Sequence, residues 1–539
     1  MFTDEPPGRW NLPTSSYPSI NQNTDFSQEI ISKYLKELDT EKSPGPDLIP
    51  PRVLYEVRER ISTALSIIFK ASLDEGVVPS DWKQADISAI FKKGDKQSAG
   101  NYRPVSLTSI CCKIMEKIIR EKIITHLTEH DVLTHQQYGF MNGRSTLLQL
   151  VKVLDSWTDS LDRGLEVDTV FLDFRKAFDT VPHKRLLDKL KHYGINGQIL
   201  NWTKSFLTGR QQRVKLRGTA SEWSQVTSGI PQGSVLGPTL FIIFINSLPN
   251  NIKSQIFLFA DDAKIFREIV TPQDHNILQE DLNKLHDWTN NSLLKFNANK
   301  CAMMTLSRHS DTTTDRTYTL DDATLKRTNC EKDLGVTTDC NLTFDQHIRD
   351  KVKKANSIIG LIRRTYTYLD APTFLLLYKS LVRPHLEYCT PVWKPHHKKY
   401  IKLIETVQRR ATKQIPGFRH LTYEERLTRL KLPTLQYRRD RGDMIETYKI
   451  LTAKYDNRVT EGLIQLNDRE TRGHDLKIKY QHSTINLRKY SFTLRTATNW
   501  NNLPQETVAA NTTKEFERRL DQFWRNIPRH NPYVCAQEG

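Results

Sequence analysis

Long hydrophobic runs are absent from this chain. The longest, Leu240 to Ile245, covers six residues, whereas a membrane-spanning helix needs about 20. The N-terminus is acidic and proline-rich, with no basic segment followed by an apolar one, so no secretory signal is read there. Cysteine is scarce and irregular: seven in 539 residues, an odd number without a repeating spacing. That pattern argues against a disulfide framework, and the adjacent Cys111 and Cys112 read as small buried hydrophobes in a reducing compartment. No Cys-x-x-Cys pair accompanies Cys389 and its neighbours His385, His396 and His397, so no zinc ribbon or knuckle is expected, and Cys389 reads as a packing residue. Internal repeats and long runs of like charge are missing too. The expectation is a soluble intracellular chain with no membrane partner.

Positive charge is what the sequence has in excess. A net charge of +17 and a pI near 9.4 point to a polyanionic partner, nucleic acid first, although a basic solvated surface would give the same number. At 539 residues the chain is long enough for several domains with ample core.

The most informative stretch is Phe259-Ala260-Asp261-Asp262. Ile256 to Phe259 reads as a strand, Asp261 and Asp262 as its turn, and Ala263 to Phe266 as the return strand. Adjacent carboxylates at a hairpin tip repel and raise each other's pKa unless a cation lies between them. Hard divalent ions such as Mg²⁺ take carboxylate oxygens and leave positions open for phosphates. Alone, the dipeptide is an ordinary solvated turn. Upstream, however, Val170 to Leu172 form a short apolar run that ends on Asp173, and a helical pattern from near Lys176 or His183 carries Leu186, Leu187 and Leu190 on one face. A third carboxylate therefore leaves the end of a strand in a second element. Two metals ~3.5–4 Å apart, held by carboxylates from neighbouring strands, activate a 3′-hydroxyl and stabilise a pyrophosphate leaving group.

Three stretches now stand in order: Asp173-Phe174-Arg175-Lys176-Ala177-Phe178-Asp179, Gly229-Ile230-Pro231-Gln232-Gly233-Ser234-Val235-Leu236-Gly237-Pro238, and Phe259-Ala260-Asp261-Asp262. They resemble motifs A, B and C of a reverse transcriptase, and the likeness is to the polymerases of non-LTR retrotransposons, LINE-like elements of the jockey sort. It runs from about Asp39 to Trp524. The resemblance implies an α+β right-hand polymerase of fingers, palm and thumb, with a small antiparallel palm sheet and a mostly helical C-terminal region. It implies an RNA-directed DNA polymerase that extends a 3′-hydroxyl primer on an RNA template with dNTPs. Mg²⁺ is the expected cofactor, with Mn²⁺ as an alternative. The expected partners are RNA template and DNA primer or target DNA, in a ribonucleoprotein of nucleus and cytoplasm.

The same resemblance assigns roles. Asp173 and Asp261 are the catalytic metal ligands, Asp262 joins them directly or as support, and Phe174 offers its backbone carbonyl to the same metal. Phe178 lies where reverse transcriptases carry a bulky aromatic beneath the incoming sugar, a wall against a 2′-hydroxyl; by itself it would be a core phenylalanine. Gly229 and Gly233 let backbone approach a base pair, and Gln232 can hydrogen-bond near the nascent pair. Lys92 and Arg103, from a strand–loop–strand, grip the triphosphate, with Lys93 a competitor for Lys92. Gln137-Tyr138-Gly139-Phe140 and Gly143-Arg144-Ser145-Thr146 resemble the family's template-side motif, with Arg144 on template phosphate. Asn297, Lys300 and Cys301 resemble motif D, with Lys300 as general acid. Leu334-Gly335-Val336 resembles the primer grip.

The expected organisation is a linker over 1–30, fingers over 31–164, palm over 165–308, a primer-grip region over 309–345, and a helical thumb and C-terminal region over 346–539. Within the fingers, one amphipathic helix is expected from Val53 to about Leu73 with Ala64, Leu65, Ile68 and Ala71 inward, and another over Ile110 to Leu127. The C-terminal third interleaves Lys351, Lys353, Lys354, Arg363, Arg364, Lys379, Arg383, Lys398 and Lys399 with Tyr366, Tyr368, Tyr378 and Tyr388, a composition suited to phosphates and base faces. Full-length elements of this resemblance usually carry an endonuclease upstream, which these residues do not supply, and no RNase H pattern is read at the C-terminus. Two other readings remain open: a decayed or co-opted copy that binds RNA or RNA–DNA duplex without polymerising, and an intron-maturase type.

Overall fold

The computed structural model describes residues 3–6, 17–308, 316–321, 323–467, 473–525, 527 and 530–534. The stretch Arg308 to Asp315, polar and threonine-rich and so a loop by its sequence, lies beyond Arg308 outside them. Strands follow the chain as β1 (Gln84–Phe91), β2 (Tyr102–Leu107), β3 (Glu166–Asp173), β4 (Arg210–Leu216), β5 (Thr219–Ala220), β6 (Ser224–Val226), β7 (Gln255–Phe259), β8 (Asp262–Ile269) and β9 (Ala302–Leu306).

The central sheet has the order Lys326–Arg327, β9, β3, β8, β7. All its pairings are antiparallel except the short parallel edge at Lys326–Arg327. Side chains alternate across a strand with period two, and here the alternation sorts the two faces. Val170 and Leu172 of β3 with Ala263 and Ile265 of β8 enter the core shared with the preceding and following helices. Val167 and Phe171, with Phe266, face a second core built with the helix Thr146–Asp162 and the helices beyond Asp345. Asp173 and Asp262 belong to this second face. The helix Pro272–Ser292 backs the first face through Leu278, Leu282 and Leu285, each fully buried. A capping box between Thr271 and Asp274 and a proline at its first position set where it begins.

A second sheet has the order β2-β1-β4-β5, with β6 also on β4. β4 runs parallel to β1, pairing Gln84 with Gln211 and Ser88 with Lys215. Residues 210–226 thus sit inside the stretch expected as palm, yet they complete the sheet of the stretch expected as fingers. Their charged, alternating sequence gave no strand signal. Arg213 and Lys215 meet the buried Asp86 of β1 at 2.7 and 2.9 Å, so the strand is held partly by charge.

The expected 53–73 helix is two, Pro51–Glu56 and Arg58–Glu75, because Val57 leaves helical geometry. Its inner face is Leu65, Phe69 and Ser72, while Ile68 is 43 % exposed. The face was misread by one position. The helix Ile110–Glu129 buries Ile114, Ile118, Ile119 and Ile123, as its spacing predicts. The described part of the 1–30 stretch is ordered against its neighbours. Ile20 and Phe26 are core residues, Ile20 N–H donates to Gly194 O at 2.8 Å, and Glu5 accepts the N–H groups of Lys184 and Arg185.

Beyond β9, the strands Cys330–Asp333 and Val336–Asp339 form a hairpin whose turn, Leu334-Gly335, has positive φ at both residues, the tight twist-matching kind. The helices Asp345–Thr365, Lys398–Thr412 and Leu435–Leu451 then lead to a third core around Tyr448, Trp500, Phe516 and Trp524. Cys389 lies in the second core. Among the described residues no helix is long and apolar enough to cross a membrane.

Candidate active site

Register brings the carboxylates together. β3 and β8 pair Asp173 with Asp262, and β7 and β8 pair Phe259 with Asp262. The turn between β7 and β8 is therefore Ala260-Asp261, one residue earlier than the sequence suggests, with Ala260 at φ +54°. Asp261 projects from the turn beside the facing pair Asp173 and Asp262. The segment after the long helix closes one side: Asn297 N–H donates to Asp173 O at 2.7 Å and Arg175 N–H to Lys295 O at 2.9 Å, and Phe174 stacks on Phe296 with centroids 4.4 Å apart. In this antiparallel pattern Phe174 exchanges no bond with Phe296, so its carbonyl points away from that ladder. Lys300 Nζ pairs with Asp173 Oδ2 at 2.9 Å, which places the expected motif D lysine at the carboxylates.

Across the cleft, β1 and β2 pair Ile90 with Arg103, and Lys92 N–H donates to Asn101 O at 2.9 Å. Both basic side chains are exposed, and their charges reach Asp261. Loss of hydration in the cleft raises the Asp261 pKa and Asp173 raises it further, while Arg103 and Lys92 pull it back.

Glycines hold the central loop. A Cβ on Gly229 (φ +88°) would lie 2.5 Å from Asp179 O, and one on Gly233 (φ +127°) 2.5 Å from Ser106 O. Ile230 N–H donates to Phe178 O at 2.7 Å, and Ser106 N–H to Gln232 O at 2.6 Å, so the loop ties the two sheets. Gln232 Nε2 donates to Asp179 Oδ1 at 2.8 Å. Phe178 is half-buried, stacked on Phe241 at 4.5 Å and edge-on to Phe140 at 6.5 Å. One residue in this support was missed: the buried Glu116 carboxylate accepts the N–H groups of Val235 and Leu236 at 2.7 and 2.9 Å. A glutamate on the apolar stripe of an isoleucine-rich helix was the available signal.

Two expectations are corrected. Arg144 does not face a phosphate: its guanidinium is fully buried, 2.8 Å from Asp456, and donates to the carbonyls of Thr134, His135 and Gln137. A partner more than 300 residues away could not be read from sequence. Among the tyrosines expected to stack on bases, Tyr378 is buried and donates to Gln408, and Tyr388 donates to Leu334 O at 2.8 Å, beneath the turn expected as primer grip. Tyr366, Tyr368 and Tyr388 remain exposed.

Crowding acts on the protons. Asp262 is pushed up from 3.8 to about 6, first by loss of hydration and then by Asp261, Asp333 and Asp173, against Lys264. Between these two values the native state holds a proton that the unfolded chain has lost, so stability falls as pH rises through that window. For this group alone, the metal-free protein is expected to be more stable near pH 5 than near pH 7.5. Asp262→Asn should raise Tm at the higher pH and flatten the difference. Thermal unfolding of both proteins at the two pH values checks this; an undiminished pH difference in the variant would contradict it.

Two sheets are thus joined by a glycine-bound loop, with three carboxylates clustered on one side of the cleft and two cations opposite. Residues 90–341 match the family model described as reverse transcriptase (RNA-dependent DNA polymerase). The chain is 29 % identical over 432 residues to the RNA-directed DNA polymerase from mobile element jockey of Drosophila melanogaster, covering 77 % of this chain and 45 % of that protein. It is 27 % identical over 427 residues to the probable RNA-directed DNA polymerase from transposon X-element of the same organism, covering 76 % and 46 %. A solved apo telomerase from Candida tropicalis superposes loosely, with a TM-score of 0.34 and 12 % identity over 53 % of this chain and 60 % of that one. The chain thus matches a reverse transcriptase model over residues 90–341, and it spans a little under half the length of the relatives just named.

Proposed function

We propose that this chain is the RNA-directed DNA polymerase of a non-LTR retrotransposon, adding dNTPs to the 3′-hydroxyl of a primer on an RNA template. The observation that carries this reading is the register that sets Asp173 opposite Asp262 with Asp261 in the adjoining turn. A divalent metal such as Mg²⁺ suits these residues. Their donors are all hard oxygens, and the carboxyls of Asp261 and Asp262 are pushed up first by lost hydration and then by neighbouring carboxylates, a repulsion that a bound cation would relieve. Among the described residues no group of three or more His, Cys, Asp or Glu side chains is arranged to hold a metal ion by itself, so an ion here would need further ligands from water and substrate phosphates.

Asp173 and Asp261 would hold the metal, with Asp262 beside them and the Phe174 carbonyl available. When bound, it would supply charge for activating the primer hydroxyl and for the departing pyrophosphate. Lys92 and Arg103 meet the triphosphate from the opposite wall, and Lys300 stands at the carboxylates, placed to give a proton to the leaving group. Phe178 fills the space beneath the sugar, and Gly233 and Gln232 lie against the nascent pair. Primer extension by the purified chain on poly(A) and mixed-sequence RNA tests the reading. Template-directed DNA products are expected; duplex binding without extension would return the chain to a binding role.

Duplex is proposed to lie along the helices after Asp345. Lys353, Lys354, Arg363 and Arg364 are exposed on Asp345–Thr365. Changing all four to glutamine should lower the slope of log K against log salt by roughly 2 to 4, at ~0.9 per lost phosphate contact in B-DNA. An unchanged slope and affinity would place the contacts elsewhere.

A further inference from the structure

The segment expected on the template side is built instead against the back of the catalytic turn. We propose that Gln137 is a positioning residue for Asp261, and that Arg144 and the distant Asp456 complete its support; this rests on the polymerase reading above. Gln136 to Tyr138 covers the outer edge of β7: Tyr138 N–H donates to Leu258 O at 2.8 Å and Leu258 N–H to Gln136 O at 2.9 Å. Gln137 is buried, and its Oε1 accepts two backbone N–H groups, those of Gly139 at 2.8 Å and of Ala260 at 2.9 Å. Ala260 is the residue immediately before Asp261 and holds a left-handed backbone, a conformation an alanine keeps only when its surroundings fix it. Contact here is tight, since a Cβ on Gly139 would fall 2.4 Å from Ala260 N.

The support continues outward. Arg144 Nη1 gathers the carbonyls of Thr134, His135 and Gln137 at 3.2, 3.0 and 2.6 Å, fixing the strand that carries the glutamine. Arg144 is itself held by Asp456, whose backbone N–H donates to Gly143 O at 3.0 Å. A Cβ on Gly143 (φ +70°) would lie 2.8 Å from Asp456 N. Although burial opposes it, hydrogen bonds from Arg458 and Arg144 keep the Asp456 carboxyl at about 2, so the clasp stays charged at any working pH. Asp456, Arg144, the 134–137 backbone, Gln137 and Ala260 N–H form one continuous path from the C-terminal region to the turn bearing Asp261. None of these groups needs to touch substrate.

The test compares wild type with Gln137→Met, Gly139→Ala and Asp456→Asn. The first removes the acceptor, the second wedges the turn, and the third weakens the clasp far from the cleft. Gln137→Met and Gly139→Ala should lower kcat by about 100-fold, the order expected of misplacing a reacting group by about an ångström, with Asp456→Asn intermediate. In all three the Mg²⁺ concentration for half-maximal rate should rise and duplex affinity should hold. A readout independent of activity is amide hydrogen exchange in metal-free protein: the peptide spanning 255–266 should exchange faster in each variant. Variants that merely unfold in part would lose active fraction without moving the Mg²⁺ midpoint, which Asp456→Asn isolates if the other two fold poorly. Wild-type Mg²⁺ midpoints and exchange at 255–266 would overturn the proposal. Failure of the wild-type chain to extend at all would instead remove the polymerase reading.

Discussion

Asp261→Asn or Asp173→Asn is expected to abolish primer extension while leaving duplex binding close to wild type. Each amide keeps the shape of the carboxylate and removes the charge that a divalent ion needs. Several kcal/mol of transition-state stabilisation go with it, which is about 1000-fold or more in rate. Binding should survive because the exposed basic residues on Asp345–Thr365 lie on another element. For Asp173 the amide also leaves Lys300 without its partner at 2.9 Å, so that variant should fall at least as far. Single-turnover extension together with duplex Kd for each protein makes the comparison. Wild-type incorporation by both variants would end the assignment of these carboxylates to the metal.

The second large effect is expected at Phe178. Its ring is sandwiched against Phe241 on one side and Phe140 at the edge, so it cannot swing aside to admit a 2′-hydroxyl without disturbing two neighbours. Overpacking a fixed site costs 1–3 kcal/mol, and relieving it should shift the rNTP-to-dNTP ratio of kcat/KM by up to about 100-fold toward ribonucleotides in Phe178→Val or Phe178→Ala. Measuring both ratios on the same preparation separates this from partial unfolding, which lowers both rates together. An unchanged ratio with retained activity would make Phe178 a core residue only.

The chemistry was legible in sequence where it is local. Asp173 ends an apolar strand and Asp261-Asp262 end a hairpin, so charge beside an apolar run marks them without any long-range information. Pairing Asp173 with Asp262 needed the β3–β8 register, which the local pattern does not fix. Strand β4 was hidden because part of what holds it is its pairing with Asp86, more than 120 residues earlier, and not an apolar face of its own. Arg144 carried the strongest misreading. Its motif looks like a phosphate contact, yet burial against Asp456 turns its charge inward. Glu116 escaped notice, and Gln137 was read only as part of a template-side motif, for a related reason: each satisfies backbone N–H groups of a distant segment, a role that any buried acceptor can fill and that no spacing announces. Tyr388, read as a base-stacking residue, also supports the Leu334-Gly335 turn through its hydroxyl.

The central claim is tested most directly by single-turnover addition of one dNTP to a DNA primer annealed to RNA, followed across a Mg²⁺ titration. The expected result is addition of the complementary nucleotide at a rate that saturates with Mg²⁺ and vanishes with chelator or with a primer lacking its 3′-hydroxyl. Duplex bound tightly but never extended at any Mg²⁺ concentration, or extension that ignores the template base, would contradict it.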